Sequence, residues 1–173
     1  RMSKESELVF SSPTAFLAFG FGSGLAPKAP GTFGTLAALP ILLLLAPFHM
    51  SPWFGLFLLA TFGLGIYLCD TTADALGVHD HGGIVWDEFV GLWITFWGVA
   101  LTPLSLVLGF ALFRLFDIVK PFPIRWLDKK VPGGLGIMID DVLAGVFAWL
   151  ALQGILIYSP LLYFIFASKI IYG

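Results

Sequence analysis

Long uncharged apolar runs alternate along the chain with short segments that gather the charged residues, and this alternation predicts helices of near bilayer-spanning length. A spanning helix needs about 20 largely apolar residues, with about 17 to 25 tolerated. Gly31 to Pro47 is uncharged and Leu-rich, and Pro52 to Cys69 is uncharged and aromatic-rich. Only Ala46 to Pro52 separates them, which predicts a tight helical hairpin. Phe89 to Phe113 is uncharged throughout and reads as one long tilted helix or as two helices hinged at Leu101, Thr102 and Pro103. Proline inside a helix costs about 3 kcal/mol, and a turn there leaves Ile84 to Leu101 and Pro103 to Val119, each near spanning length, so two helices fit better. A fifth helix is predicted from Val142 to Tyr158, opening after Asp140 and Asp141 and closing before Ser159 and Pro160. Leu161 to Tyr172 is short for a span and is expected along the interface or against the bundle. The expected fold is therefore all-α: a polytopic membrane helical bundle of about five membrane helices, in a single domain over residues 1–173. An N-terminal glycine-rich segment is expected to be re-entrant or interfacial.

Composition agrees with this pattern: 58% of residues are hydrophobic, 12% are charged and the mean hydropathy is +0.95. The net charge is −2 and the cations are scattered, so the chain lacks the basic stripe that tracks nucleic acid. The single Cys69 excludes an internal disulfide and a CxxC site. The first eight residues mix Arg1, Lys4, Glu5 and Glu7, and the apolar stretch after them is broken by Gly20, Gly22 and Gly24, so no signal peptide is expected. With a turn at Pro103 the two hairpin tips, Ala46 to Pro52 and Leu101 to Ser105, share one side. Every charged loop then falls on the other, where Lys28, Arg114, Lys120, Arg125, Lys129 and Lys130 mark the cytoplasmic face.

The acids are not spread evenly. Nine of the eleven lie between Asp70 and Asp141, where unpaired charge near lipid is costly. His79-Asp80-His81 followed by Asp87-Glu88 places two imidazoles and three carboxylates at the mouth of a helix, suited to a hard cation or to complementing the helix N-terminus. Arg114, Asp117 and Lys120 recur every third residue along one side of a helix end that Pro121 stops. They form either a self-neutralising ladder or a pair of phosphate clamps around a metal-binding acid. Gly133-Gly134-Leu135-Gly136 reads as a flexible loop, with Asp140 and Asp141 opening the last helix as ligand and cap. Gly20 to Thr35, with Lys28 and Thr32, reads equally as an anion cradle ahead of a helix or as glycines for close packing. Residue 75 is Ala where a cysteine phosphatase needs Arg, and no DxD pair or GxSxG elbow is present. A metal-activated water is the economical remaining route to hydrolysis.

Four blocks in order, GFGSGLAPKAPGTFGT, GVHDHGGIVWDEFVG, FRLFDIVKPFPIRW and GGLGIMIDDVLAG, make the chain resemble the bacterial phosphatidylglycerophosphatase A family from Ala18 to about Ala148. The resemblance implies a Mg²⁺-dependent phosphatase of the bacterial inner membrane that removes the terminal phosphate of phosphatidylglycerol phosphate. It carries the family's acidic signature onto Asp80, Asp87, Glu88, Asp117, Asp140 and Asp141, and its basic positions onto Lys28, Arg114, Lys120 and Arg125. On that basis Asp87, Glu88, Asp140 and Asp141 are expected to hold the metal, with Asp80 and Asp117 catalytic or nearby. Lys28, Thr32, Arg114 and Lys120 are expected to bind phosphate, and Asp80 or His81 to serve as base. The expected partners are the phosphorylated glycerophospholipid and the bilayer. The rival class is an ion-coupled transporter, which would place its acids near the middle of broken helices.

Overall fold

The computed structural model describes the backbone of residues 2–172 and the side chains of residues 2–160. Among the described residues the secondary structure is entirely helical. Two short helices, α1 (Lys4–Ser11) and α2 (Pro13–Ala18), precede a 3-10 turn at Ser23–Leu25. The helical hairpin follows as α3 (Pro30–Leu44), a 3-10 turn at Phe48–Met50 and α4 (Phe54–Leu76). The second half contains α5 (Trp86–Thr95), α6 (Pro103–Val119), α7 (Ile124–Lys130) and the long α8 (Gly133–Tyr172). Helix α8 packs against α4, α5, α6 and α7, and α5 is enclosed by α3, α4, α6 and α8.

The turn at Pro103 is present. Thr102 caps α6 by accepting from the Ser105 N–H, the Ser105 hydroxyl accepts from the Thr102 N–H, and Pro103 takes the first helical position, where a missing N–H costs nothing. The first tip is tied to the connection that leads into the second: Gly98 N–H donates to the His49 carbonyl at 3.0 Å, and His49 Nε2 donates to the Val99 carbonyl at 2.9 Å.

Four expectations change. The stretch Ile84 to Leu101 does not form a spanning helix, because α5 has 10 residues and ends at Thr95. It is buried on nearly every side, as befits a helix apolar all round beyond its first turn. Its indoles reach outward, Trp86 Nε1 donating to the Thr61 carbonyl at 3.1 Å and Trp93 Nε1 to the Ala38 carbonyl at 3.2 Å. Helix α4 runs past Cys69 to Leu76, because Asp70 and Asp74 sit on its exposed side; charge ends a lipid-compatible stretch without ending a helix. Helix α8 does not close before Pro160, which lies inside it. The fate of the side chains in Leu161 to Tyr172 lies outside the described residues.

The fourth change matters most for the site. Gly133 to Ile139 is not a flexible loop but the opening of α8. A Cβ on Gly134 would overlap the Ile66 carbonyl oxygen of α4, so glycine here permits close approach. The free N–H groups of this helix start find partners from other elements, Gly133 N–H donating to His79 Nε2 at 3.0 Å and Gly134 N–H to Asp70 Oδ1 at 3.1 Å. Asp70→Ala is expected to destabilise the protein by about 1 kcal/mol, the typical cost of a lost helix cap, read as a lower unfolding temperature in detergent.

Among the described residues, two helices are long and apolar enough to cross a membrane, α4 and the Gly133–Pro160 part of α8. Helix α3 is apolar but has 15 residues, and α6 has 17.

Candidate active site

Three helices deliver carboxylates to one place. Asp87 and Glu88 occupy the first turn of α5, Asp117 the last turn of α6, and Asp140 and Asp141 the third turn of α8. The crossing of α5 and α8 sets their separation. A Cβ on Gly145 would overlap the Gly91 carbonyl oxygen, and a Cβ on Gly91 would come within 2.6 Å of the Asp141 carbonyl oxygen. The backbones therefore touch one turn beyond the acids, so Asp87 and Glu88 lie against Asp141.

Two groups of acids result, Asp87 with Glu88 and Asp141, and Asp117 with Asp140 and Asp141; within each, one oxygen per residue lies within 4.8 Å of the others. Asp141 belongs to both. Asp140 and Asp141 are 4% and 2% exposed, and neither caps α8. Asp140 Oδ1 accepts from the Asp141 N–H at 3.0 Å, as Asp87 Oδ1 accepts from the Glu88 N–H at 3.0 Å. Each pair thus has one member oriented by its neighbour's backbone. The acids are also served by two cations. Arg114 lies between Asp117, which it pairs with closely, and Glu88 Oε1 at 3.7 Å. Lys120 Nζ donates to Asp140 Oδ2 at 2.7 Å and to Asp128 Oδ2 at 3.2 Å. Burial pulls the Lys120 ammonium down, but the hydrogen bond and charge of Asp140, with Asp128, outweigh it and hold its pKa above the ordinary lysine value.

Five carboxylates facing two cations leave an excess of negative charge in a buried place, where each desolvated ion costs several kcal/mol. One oxygen, Asp141 Oδ2, is buried without a hydrogen-bond partner. An orphaned buried carboxylate oxygen in an all-oxygen donor set, with no Cys or His in either group, fits a hard divalent cation.

The remaining predicted residues fall around this centre. Asp80 is exposed at the rim. Desolvation raises its carboxyl pKa, Lys120 and His79 pull it back, and Asp128 and Asp117 push it further up. His79 binds the start of α8, and His81 Nδ1 accepts from the Gly83 N–H at 3.0 Å, so both imidazoles have structural partners. Lys28 is exposed and Thr32 half-buried; among the described residues neither is joined to the acids by a hydrogen bond or ion pair. The glycine segment does close packing, since a Cβ on Gly24 would overlap the Gly83 carbonyl oxygen. It also reaches the site: a Cβ on Gly31 would lie 2.6 Å from Glu88 Oε1, and the Thr35 hydroxyl, which donates to the Gly31 carbonyl at 2.8 Å, lies 3.3 Å from Glu88 Oε2. Sequence reasoning missed Thr35 and the Asp128 partner of Lys120. The available signal for Thr35 was its position three residues after Thr32, on the same side of α3.

An oxygen-only acid centre flanked by a guanidinium and an ammonium, set in an apolar helical bundle, has the chemistry of a hydrolase acting on phosphate esters. Comparison with known proteins makes this specific. The family model for phosphatidylglycerophosphatase A matches residues 16–156, and the chain belongs to that family. It is 50% identical over 145 residues to Phosphatidylglycerophosphatase A of Escherichia coli (strain K12), covering 82% of this chain and 83% of that protein. It is 51% identical over 140 residues to Phosphatidylglycerophosphatase A of Haemophilus influenzae (strain ATCC 51907 / DSM 11121 / KW20 / Rd), covering 79% of this chain and 85% of that protein. No solved structure matches the chain.

Proposed function

We propose that this protein hydrolyses the terminal phosphomonoester of phosphatidylglycerol phosphate to phosphatidylglycerol and inorganic phosphate. The cofactor is Mg²⁺, and the setting is the cytoplasmic face of the bacterial inner membrane, in a single membrane-embedded domain. The observation that carries the chemistry is the buried Asp141, shared between two acid groups and carrying one oxygen, Oδ2, without a hydrogen-bond partner. Family membership carries the substrate.

Asp87, Glu88, Asp140 and Asp141 would hold the ion, with Asp117 completing the second group. When bound, the ion supplies positive charge that neutralises phosphoryl oxygens and acidifies water. Arg114 and Lys120 stand where they can stabilise the charge of an in-line displacement, each already oriented by a carboxylate. Thr35 meets Glu88 at its other oxygen, Oε2. Asp80, with a raised carboxyl pKa, would take a proton from the attacking water, with His81, whose Nδ1 accepts from the Gly83 N–H, as the alternative base. Lys28, exposed, and Thr32, half-buried, would meet an arriving head group.

Membrane residence rests on the outward faces. Leu44, Leu59, Leu104, Val107, Leu150 and Ile157 are exposed, a pattern that hydrocarbon solvates and water does not. Helices α4 and α8 cross in this reading, and α6, at the lower limit of spanning length, makes the bundle multi-pass. The transporter alternative needs acids strung along a path at mid-depth. Here they are gathered around the start of α5, the end of α6 and the third turn of α8.

Purified protein in neutral detergent is expected to release phosphate from phosphatidylglycerol phosphate, to stop on addition of EDTA and to recover with excess Mg²⁺. Release that continues at full rate in EDTA would remove the metal from the mechanism. No release under any condition would remove the activity.

A further inference from the structure

Beside the acid centre, the end of α6 and helix α7 enclose a groove of about 560 Å³. Its wall includes Lys120, Phe122, Arg125, Trp126 and Lys129, three cations and two large aromatics, and no carboxylate. Lys120 is the common wall: the same ammonium bonds Asp140 of the acid centre. Arg125 and Lys129 are exposed, and Arg125 is steered by donating from Nη2 to the Val119 carbonyl at 2.9 Å. Phe122 is 81% exposed and Trp126 53%, and with Ile118 and Val119, also exposed, they give this edge the aromatic and apolar character of a membrane–water interface.

We infer that this groove binds the phosphodiester of the lipid head group, with Arg125 and Lys129 as specificity-determining residues. The inference rests on the proposed function. In phosphatidylglycerol phosphate one glycerol unit separates the terminal phosphomonoester from the phosphodiester that joins the diacylglycerol. A monoester at the acid centre therefore leaves a second anion close by, and the cationic groove opens one residue away, across Lys120. The exposed aromatics beside it would keep the lipid's glycerol and first methylenes at interface depth.

The test uses the full chain in neutral detergent, so that no anionic surface contributes, with three readouts. These are steady-state hydrolysis of phosphatidylglycerol phosphate, inhibition by short-chain phosphatidylglycerol and inhibition by inorganic phosphate. For Arg125→Ala/Lys129→Ala, KM is expected to rise about tenfold or more, the scale of lost charge-assisted contacts, with kcat nearly unchanged. Inhibition by short-chain phosphatidylglycerol, which has the diester and lacks the monoester, is expected to weaken in parallel, while inhibition by inorganic phosphate stays the same. Lys129→Ala alone, which breaks no hydrogen bond or ion pair seen among the described residues, is expected to move both in the same direction. Lys130→Ala, an exposed cation of α7 outside the groove, is expected to move neither. The inference is overturned if KM is unmoved, if kcat carries the loss, if phosphate inhibition weakens equally, or if Lys130→Ala matches the double variant. Wild-type protein that hydrolyses no substrate would instead sink the proposed function itself.

Discussion

Asp141→Asn is expected to lower phosphate release by about 10²–10³-fold, the range found when one preorganised electrostatic group is removed from a catalytic site, while making the metal-free protein more stable. Asp141 lies in both acid groups, so no other single substitution weakens both. Its buried Oδ2 has no partner, and an uncompensated buried charge opposes folding. The amide keeps the shape and removes the charge, so the apo variant should unfold at a higher temperature than the apo wild type. Divalent ions should add stability to the wild type through preferential binding to the folded state and add little to the variant. Thermal unfolding in detergent, with and without Mg²⁺, reads both effects beside the activity. A variant with ordinary turnover, or one destabilised without metal, would show that Asp141 is not the shared ligand.

Gly145→Val is expected to damage both packing and chemistry. Its Cβ would overlap the Gly91 carbonyl oxygen, and backbone cannot step aside as a side-chain tip can. Overpacking of this kind costs about 1–3 kcal/mol or more. Because the contact sits one turn beyond Asp87, Glu88 and Asp141, any widening between α5 and α8 opens the first acid group directly. Activity should therefore fall further than stability alone accounts for at temperatures well below unfolding. Gly154→Ala on the same helix is the matched control. Nothing lies within 4 Å of its added Cβ, so the better helix propensity of Ala, about 1 kcal/mol, should hold or raise stability with turnover intact. Equal behaviour of the two variants would show that the crossing does not set the site.

The sequence was most legible where local chemistry and tertiary need agree. Thr102 with Pro103 is both a good cap and a necessary fold-back, and α6 begins and ends at the expected residues. The acids of α5, α6 and α8 were legible because so much charge in an apolar chain demands a reason. What stayed hidden was set by partners far along the chain. Helix propensity disfavours Gly133-Gly134-Leu135-Gly136, yet Asp70, His79 and the close backbone of α4 make it a helix start. Thr35 reaches Glu88 across 53 positions; its spacing from Thr32 marks the side of α3 it shares but not the partner it meets. Helix α5 looked like half of a spanning pair because apolar composition alone does not distinguish a helix surrounded by lipid from one surrounded by protein.

That enclosure has a mechanical result. Bilayers differ in thickness, and helices that meet the acyl chains answer by tilting or bending. The pair Asp87 and Glu88 instead rides on an internal pin, sheathed by α3, α4, α6 and α8, whose two ends need not follow either leaflet. In the proposed membrane setting, strain from a thinner or thicker bilayer would be absorbed by the outer helices, leaving the carboxylate spacing insulated from it.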